Sequence, residues 1–361
     1  MAGWVPIFLT AGFRFFFTSA ALCACLSMFA WMAWILIHAT NGVVLEPTID
    51  VAPYLWHGHE MIFGYAVAVI AGFFLTAVPS WTGQSEARWA FVTAAAGIWF
   101  AGRAAVWFSA WVDPWAIAVA DLAFLPFLSF RLARNLLRRP KPQNIALLGI
   151  LALIFCGNLL VHLEWTAVTD DTAERGLWLA LFAVCSLIAV IGGRVIPAFT
   201  RNFLLRQDNN QELPVSRKLF ERAGVTSAVL IGPAYVVGAP EWLLGSLVAV
   251  AAVANAARLI GWRSRASLLE PLLWALHLGF GLLVLGYALL AAAWLVGWPD
   301  PIAAMHGLAI GAVGTMTLAI MSRAALGHSG RPLKAAPAVA LAYLLIPAAM
   351  VIRVFGPSLM P

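Results

Sequence analysis

The sequence predicts an all-α fold: a polytopic bundle of eleven membrane-spanning helices forming a single integral membrane domain over residues 1–361. Three observations carry that expectation. Of the residues, 63% are hydrophobic and only 11% are charged, where an ordinary soluble domain carries about a quarter charged residues; so few charges cannot cover a water-facing surface. The apolar residues gather into eleven runs, each near the roughly 20 residues a helix needs to cross a bilayer. Finally, the basic residues alternate between the two ends of successive runs as the positive-inside rule requires. A soluble enzyme, a coiled coil, a secreted disulfide scaffold and a disordered chain are excluded by the composition alone. The formal charge of +6 belongs to loops at a membrane surface and is no sign of nucleic-acid binding.

The runs follow in order. The first, 15–38, starts after Arg14 and continues to His38 without a small-residue cleavage site, so it reads as a retained span and not a cleaved leader. The second, 54–78, carries His57, His59 and Glu60 near its start. The third and fourth, 89–111 and 115–132, turn at Val112, which places Arg103 and Asp121 nine residues either side of the turn and hence at similar depth on adjacent helices. A basic connection, 133–143, leads to 144–163, closed by His162. The sixth run, 176–196, is followed by a second long connection, 197–218, whose stretch Gln-Asp-Asn-Asn-Gln-Glu at 207–212 is aqueous. Then come 219–238, 241–261, 271–296 with His277, 302–322 with His306, and 336–356. No soluble domain, low-complexity tract or internal repeat is visible.

Charge fixes the expected orientation. With the N-terminus in the cytoplasm, 19 of the 22 Lys and Arg residues fall on the inner side, among them Arg134, Arg138, Arg139 and Lys141 in one loop and Arg206, Arg217 and Lys218 in another. Eleven of the 16 acids fall outside, including Glu46, Asp50, Glu164, Asp170, Asp171 and Glu174. An odd number of spans puts the C-terminus outside, five residues after the last run, and leaves room for the expectation that a twelfth helix is missing.

The four cysteines, Cys23, Cys25, Cys156 and Cys185, all lie in apolar runs, where a thiol packs as a small hydrophobe. No C-x-x-C-H sequence is present, which excludes covalent haem attachment of the c type.

Chemistry is expected where polar groups enter the lipid, because an ionisable residue there is costly to keep. His38, His57, His59, His162 and His306 cluster towards one face on this topology, and His277 lies about 10 Å from the other by the helical rise. For His38 and His162 a hydrogen bond to a carbonyl is the preferred reading; for His57, His59 and His306, metal ligation is. His57 and His59 are about 200° apart on a helix, so they serve two centres, or one ligates while the other orients a neighbour. Arg103 and Asp121 form either a structural ion pair or a cofactor-binding pair, with the Arg103 fork receiving an anionic group such as a haem propionate. Glu60 is the candidate catalytic residue, as a proton donor or acceptor, and equally a partner that orients a histidine. Ala303, Gly307 and Gly311, spaced by four around His306, allow close helix packing and would also leave room for a flat macrocycle; Gly279 and Gly281 follow His277 in the same way.

At these residues the sequence resembles the NnrS family of bacterial inner-membrane proteins. The stretches that carry the resemblance are GFRFFF at 12–17, WHGHEMIFGYAVAVIAGFFLTAVPSWTG at 56–83, GGRVIPAFTRN at 192–202, LLWALHLGFGLLVLGY at 272–287 and MHGLAIGAVGTMTLAIMSRAALGHSGR at 305–331. The resemblance implies non-covalent b-type haem and copper as cofactors, a role in the response to nitric oxide and nitrosative stress, and twelve spans as the family is usually drawn. It implies His57, His59, His277 and His306 as the metal-ligand candidates, with His328 ranked lower because it falls in an inner loop.

Nitric oxide partitions into lipid and needs no transporter. Capturing it needs an open metal position; reducing it needs protons, which Glu60 could deliver, and electrons, for which quinol in the bilayer is the expected donor. The leading expectation is therefore a haem-binding, and further a copper-binding, membrane protein that consumes or sequesters nitric oxide, as an oxidoreductase if it turns over. Two alternatives stand beside it: a cofactor-free transporter of a small solute or metal ion, and a haem or copper sensor or chaperone without turnover.

Overall fold

Inside a bilayer every backbone polar group must find its partner within the chain, which leaves the helix as the natural state of each apolar run. In the computed structural model this is what the chain does over its described residues, 7–44, 47–138, 140–207 and 213–359. Glu46, Arg139 and residues 208–212 of the polar stretch lie outside the described residues. Among the described residues there are no strands and eleven long helices. They are α1 Gly12–Ala39, α2 Pro53–Thr82, α3 Trp89–Trp107, α4 Pro114–Leu136, α5 Pro142–Trp165, α6 Ala173–Leu205, α7 Lys218–Val236, α8 Glu241–Ile260, α9 Pro271–Val296, α10 Pro301–His328 and α11 Pro337–Leu359.

Each expected run coincides with one helix. Ten are long and apolar enough to cross a membrane. The exception is α7, whose first two turns carry Lys218, Glu221 and Arg222. Starts are set by local chemistry: Pro occupies the first turn of α2, α5 and α9, and the Asp113 carboxylate accepts from the Trp115 and Ala116 amides at 3.0 and 3.2 Å to cap α4. Two boundaries differ most from expectation: the tenth helix runs on from 322 to His328, so that histidine ends a helix and does not lie in a loop, and the sixth is extended further. The sixth helix runs on from 196 to Leu205, through Pro197, for 33 residues, about 50 Å at the helical rise. Hydropathy sees only the apolar stretch of a helix, so the polar end Thr-Arg-Asn-Phe-Leu-Leu reads as loop although it is wound.

The helices divide into two units, Met1–Ala180 and Leu181–Pro361. In the first, α2 is central and buried on most of its surface, whereas α1 buries one stripe, Phe13, Phe16, Phe17, Ala20, Cys23 and Ser27. Lipid tails are as apolar as leucine, so contact between spans comes from close packing and hydrogen bonds. Gly72 on α2 shows the principle: a Cβ there would sit 2.7 Å from the Phe17 ring. In the second unit α9 is the central helix, flanked by α8 and α10. Gly286 of α9 meets α10 so closely that a Cβ would lie 2.9 Å from the Leu308 amide.

Two stretches depart from α geometry. α2 is wound as a π-helix over Glu60–Ala66 and α10 over Gly307–Gly314. Each begins at the residue after a candidate ligand, His59 or His306. Such segments are rare and gather at functional sites.

Candidate metal centre

Four helices of the first unit bring charged and polar side chains to one buried place. α2 supplies His59 and Glu60, α3 supplies Arg103, α4 supplies Asp121, and α5 supplies Asn158 and His162. None is more than 6% exposed.

Local sequence explains the convergence. Trp99, Arg103 and Trp107 recur every four residues and share one face of α3. Their polar ends all turn to α2: the Trp99 indole donates to the Gly64 carbonyl at 3.2 Å, the Trp107 indole to Glu60 Oε2 at 2.8 Å, and Arg103 Nη1 to Glu60 Oε1. Gly64 lies inside the π stretch, where a Cβ would come within 2.8 Å of Cys23 Sγ and 3.1 Å of Glu60 Oε2. Gly102 lets α3 and α4 touch, since a Cβ there would be 2.9 Å from the Asp121 Cα. That approach brings Arg103 Nη2 to Asp121 Oδ1.

Asp121 turns its other oxygen to α5 and α2. Asn158 Nδ2 donates to Oδ2 at 2.8 Å, His162 Nε2 lies 2.9 Å from it, and His59 Nε2 3.2 Å. His59 Nε2 also lies 3.1 Å from Asn158 Oδ1, and its Nδ1 lies 3.2 Å from Glu60 Oε1. The rings of His59, His162 and Trp165 pack on one another with centroids 4.9 to 5.5 Å apart.

Three features show that this cluster suits a cation. His59, Asp121 and His162 each offer one ligand atom, and these atoms lie within 4.8 Å of one another; donors bound at about 2 Å to one ion lie about 3–4 Å apart. Second, both ring nitrogens of His59 face acceptor oxygens. A neutral imidazole has one N–H and one lone pair, so one nitrogen points a lone pair at an oxygen unless a positive charge, a metal ion or a second ring proton, lies there. The Asn158 amide cannot turn to relieve this, because its N–H group is needed at Asp121. Third, two carboxylates face one guanidinium, so with neutral imidazoles the cluster keeps a surplus negative charge. Two imidazoles and a carboxylate suit copper, zinc or ferrous iron.

A macrocycle does not fit here. Beside the cluster is a cavity of about 10 Å³, room for about one water molecule. Its polar wall is Arg103, Asp121 and Asn158; its apolar wall includes Phe63, Val67, Phe124 and Leu125. Arg103 Nε is buried at this site without a partner among the described residues. Both outer nitrogens of Arg103 are engaged by the protein's own carboxylates.

Of the residues expected from sequence, His59, Glu60, Arg103 and Asp121 are brought together. His57 is elsewhere on α2, stacked on Trp31 at 4.8 Å. His277 and His306 belong to the second unit. His277 has Thr200 Oγ1 at 2.9 Å from Nε2 and Ser264 Oγ at 2.9 Å from Nδ1. Thr200 donates its own proton to the Ile196 carbonyl, so it accepts from Nε2–H while Ser264 donates to Nδ1, and neither nitrogen is left for an ion. His306 donates from Nδ1 to the Ile302 carbonyl at 2.7 Å. The glycines near it pack on helices: Gly307 faces Gly286 and Leu289, and Gly311 faces Met350.

His162 and Asn158 are the members that sequence reasoning missed. His162 read as an interfacial histidine bonded to a carbonyl, whereas it lies 1% exposed against Asp121. The usable signal was their spacing of four, which puts an amide and an imidazole on one face of an apolar helix.

A family model described as NnrS protein matches residues 7–361. No curated protein and no solved structure matches the chain.

Proposed function

The chain belongs to the NnrS family, and from that premise we propose that this membrane protein of the nitric oxide response captures nitric oxide at a single copper ion held by His59, His162 and Asp121. The observation that carries the reading is the buried donor set itself, left with a lone pair facing oxygen and a surplus negative charge. When bound, a copper ion supplies an open coordination position and one-electron chemistry.

The rest is done by the chain. Arg103 fixes the outer oxygen of Asp121 and leaves the inner one for the centre. Glu60 orients His59 through Nδ1, the kind of outer partner that metal-ligating histidines need. Trp107 and Arg103 hold Glu60 in turn, so this carboxylate is the nearest group able to pass a proton to the centre. The apolar wall of the cavity keeps bulk water away and admits a small neutral molecule arriving from the lipid. Haem does not fit at these residues, and the chemistry proposed here is that of the ion alone. Reduction, as opposed to capture, would draw electrons from quinol in the bilayer. The charge asymmetry supports an orientation with the N-terminus in the cytoplasm, and the family resemblance supports a bacterial inner membrane.

The test is metal analysis of the purified protein together with nitric oxide uptake under anaerobic conditions, with and without a reductant. One copper per chain, lost in His162→Ala along with uptake, is the expected result. Metal-free protein that transports a solute in vesicles would replace this reading with that of a transporter.

A further inference from the structure

The last turns of α4 carry Arg131 and Arg134, three apart and so directed to one side, and Arg138 follows two residues beyond the helix end at Leu136. This group is far from neutral. Arg131 reaches the Ser85 and Glu86 carbonyls at 3.3 and 3.4 Å, and Arg138 reaches the Gln84 side-chain oxygen. Arg134 is exposed and has no partner among the described residues. Among the described residues no carboxylate lies within ion-pair distance of the three.

Their surroundings are those of a membrane boundary. Arg131 lies over the Phe91 ring, 6.0 Å from its centroid, and Phe91 stacks on Phe127 at 4.8 Å. Trp89, Phe130 and Leu137 are 53%, 68% and 55% exposed at the same ends of α3 and α4. Guanidinium groups match phosphate oxygens through their paired N–H donors, and the adjacent apolar side chains match acyl chains. Like charges gathered without a counter-ion are relieved by an anion.

We propose that Arg131, Arg134 and Arg138, two of them positioned by the acceptors of the loop at 84–86, bind the phosphodiester headgroup of an anionic membrane lipid. The exposed aromatic and aliphatic neighbours favour a lipid over free phosphate, which has nothing to place against them. This site is independent of the metal centre.

Lipid retained by the purified protein tests it, read by mass spectrometry after reconstitution with equal phosphatidylglycerol and phosphatidylcholine. The expected result is selective retention of phosphatidylglycerol that millimolar inorganic phosphate does not displace. Arg134→Gln removes a side chain that bonds to none of the described residues, and should lower retention about fivefold; the triple Gln variant at 131, 134 and 138 should abolish the selectivity. Both should keep the metal content of the parent. Equal retention of the two lipids by the parent protein, unchanged retention in Arg134→Gln, or displacement by inorganic phosphate would each overturn the proposal.

Discussion

His277 and His59 are both buried imidazoles on central helices, and their surroundings differ in one respect. His277 lies between a hydroxyl that accepts and a hydroxyl that donates. A neutral ring satisfies both. His59 lies between two sets of acceptors, Glu60 on one side and Asn158 with Asp121 on the other. A neutral ring cannot satisfy both. The same side chain is thus complete in the second unit and incomplete in the first. Burial marks a histidine as constrained, but the donor and acceptor character of its two neighbours says whether a neutral ring suffices or a further positive charge, a proton or a metal ion, is needed.

Substitutions separate the two environments, beginning with the largest effect. Asp121→Ala leaves Arg103 and both imidazoles without their shared partner, and should cost about 3–5 kcal/mol, read as thermal unfolding in detergent. A smaller loss would mean that the cluster relaxes or admits water. Next, His162→Ala should lower bound copper at least about tenfold by elemental analysis, while His277→Ala leaves it unchanged. Copper lost equally from both would erase the distinction drawn here. Gly102→Ala pushes α3 off the Asp121 backbone and should cost about 1–3 kcal/mol with a loss of metal; Gly286→Ala, equally tight against α10, should cost as much with none. The smallest effect is at Thr200→Val, which removes one neutral hydrogen bond from His277, about 1 kcal/mol in the same unfolding assay.

What the sequence revealed follows the same division. Helix number was legible because hydropathy and the alternation of basic residues report two independent quantities, the length of each span and the side of each loop. Arg103 and Asp121 were legible as neighbours because a tight turn at Val112 fixes equal depth. Asn158 was not, since an uncharged amide inside an apolar run raises no alarm, and its role appears only when three other helices are in place. His162 was misjudged for a related reason: a position near a helix end suggests water, and burial against Asp121 and His59 is a tertiary fact. The π-helical turns left no trace, because hydropathy averages over winding. The end of α6 was placed too early because Pro197 and Arg201 look like a stop, although the helix passes through both.

The ion network also constrains how the nascent chain enters the lipid. A solitary charge costs up to about 2.5–3.5 kcal/mol at the bilayer centre on translocon scales, and less towards a face, where Glu60 lies near the start of its span. Arg103 and Asp121 belong to one helical hairpin and neutralise each other as it inserts. Glu60 is synthesised a full helix earlier, with its guanidinium still inside the ribosome. Biogenesis therefore favours holding α2 at the insertion machinery until α3 emerges, so that the two are released into the membrane together.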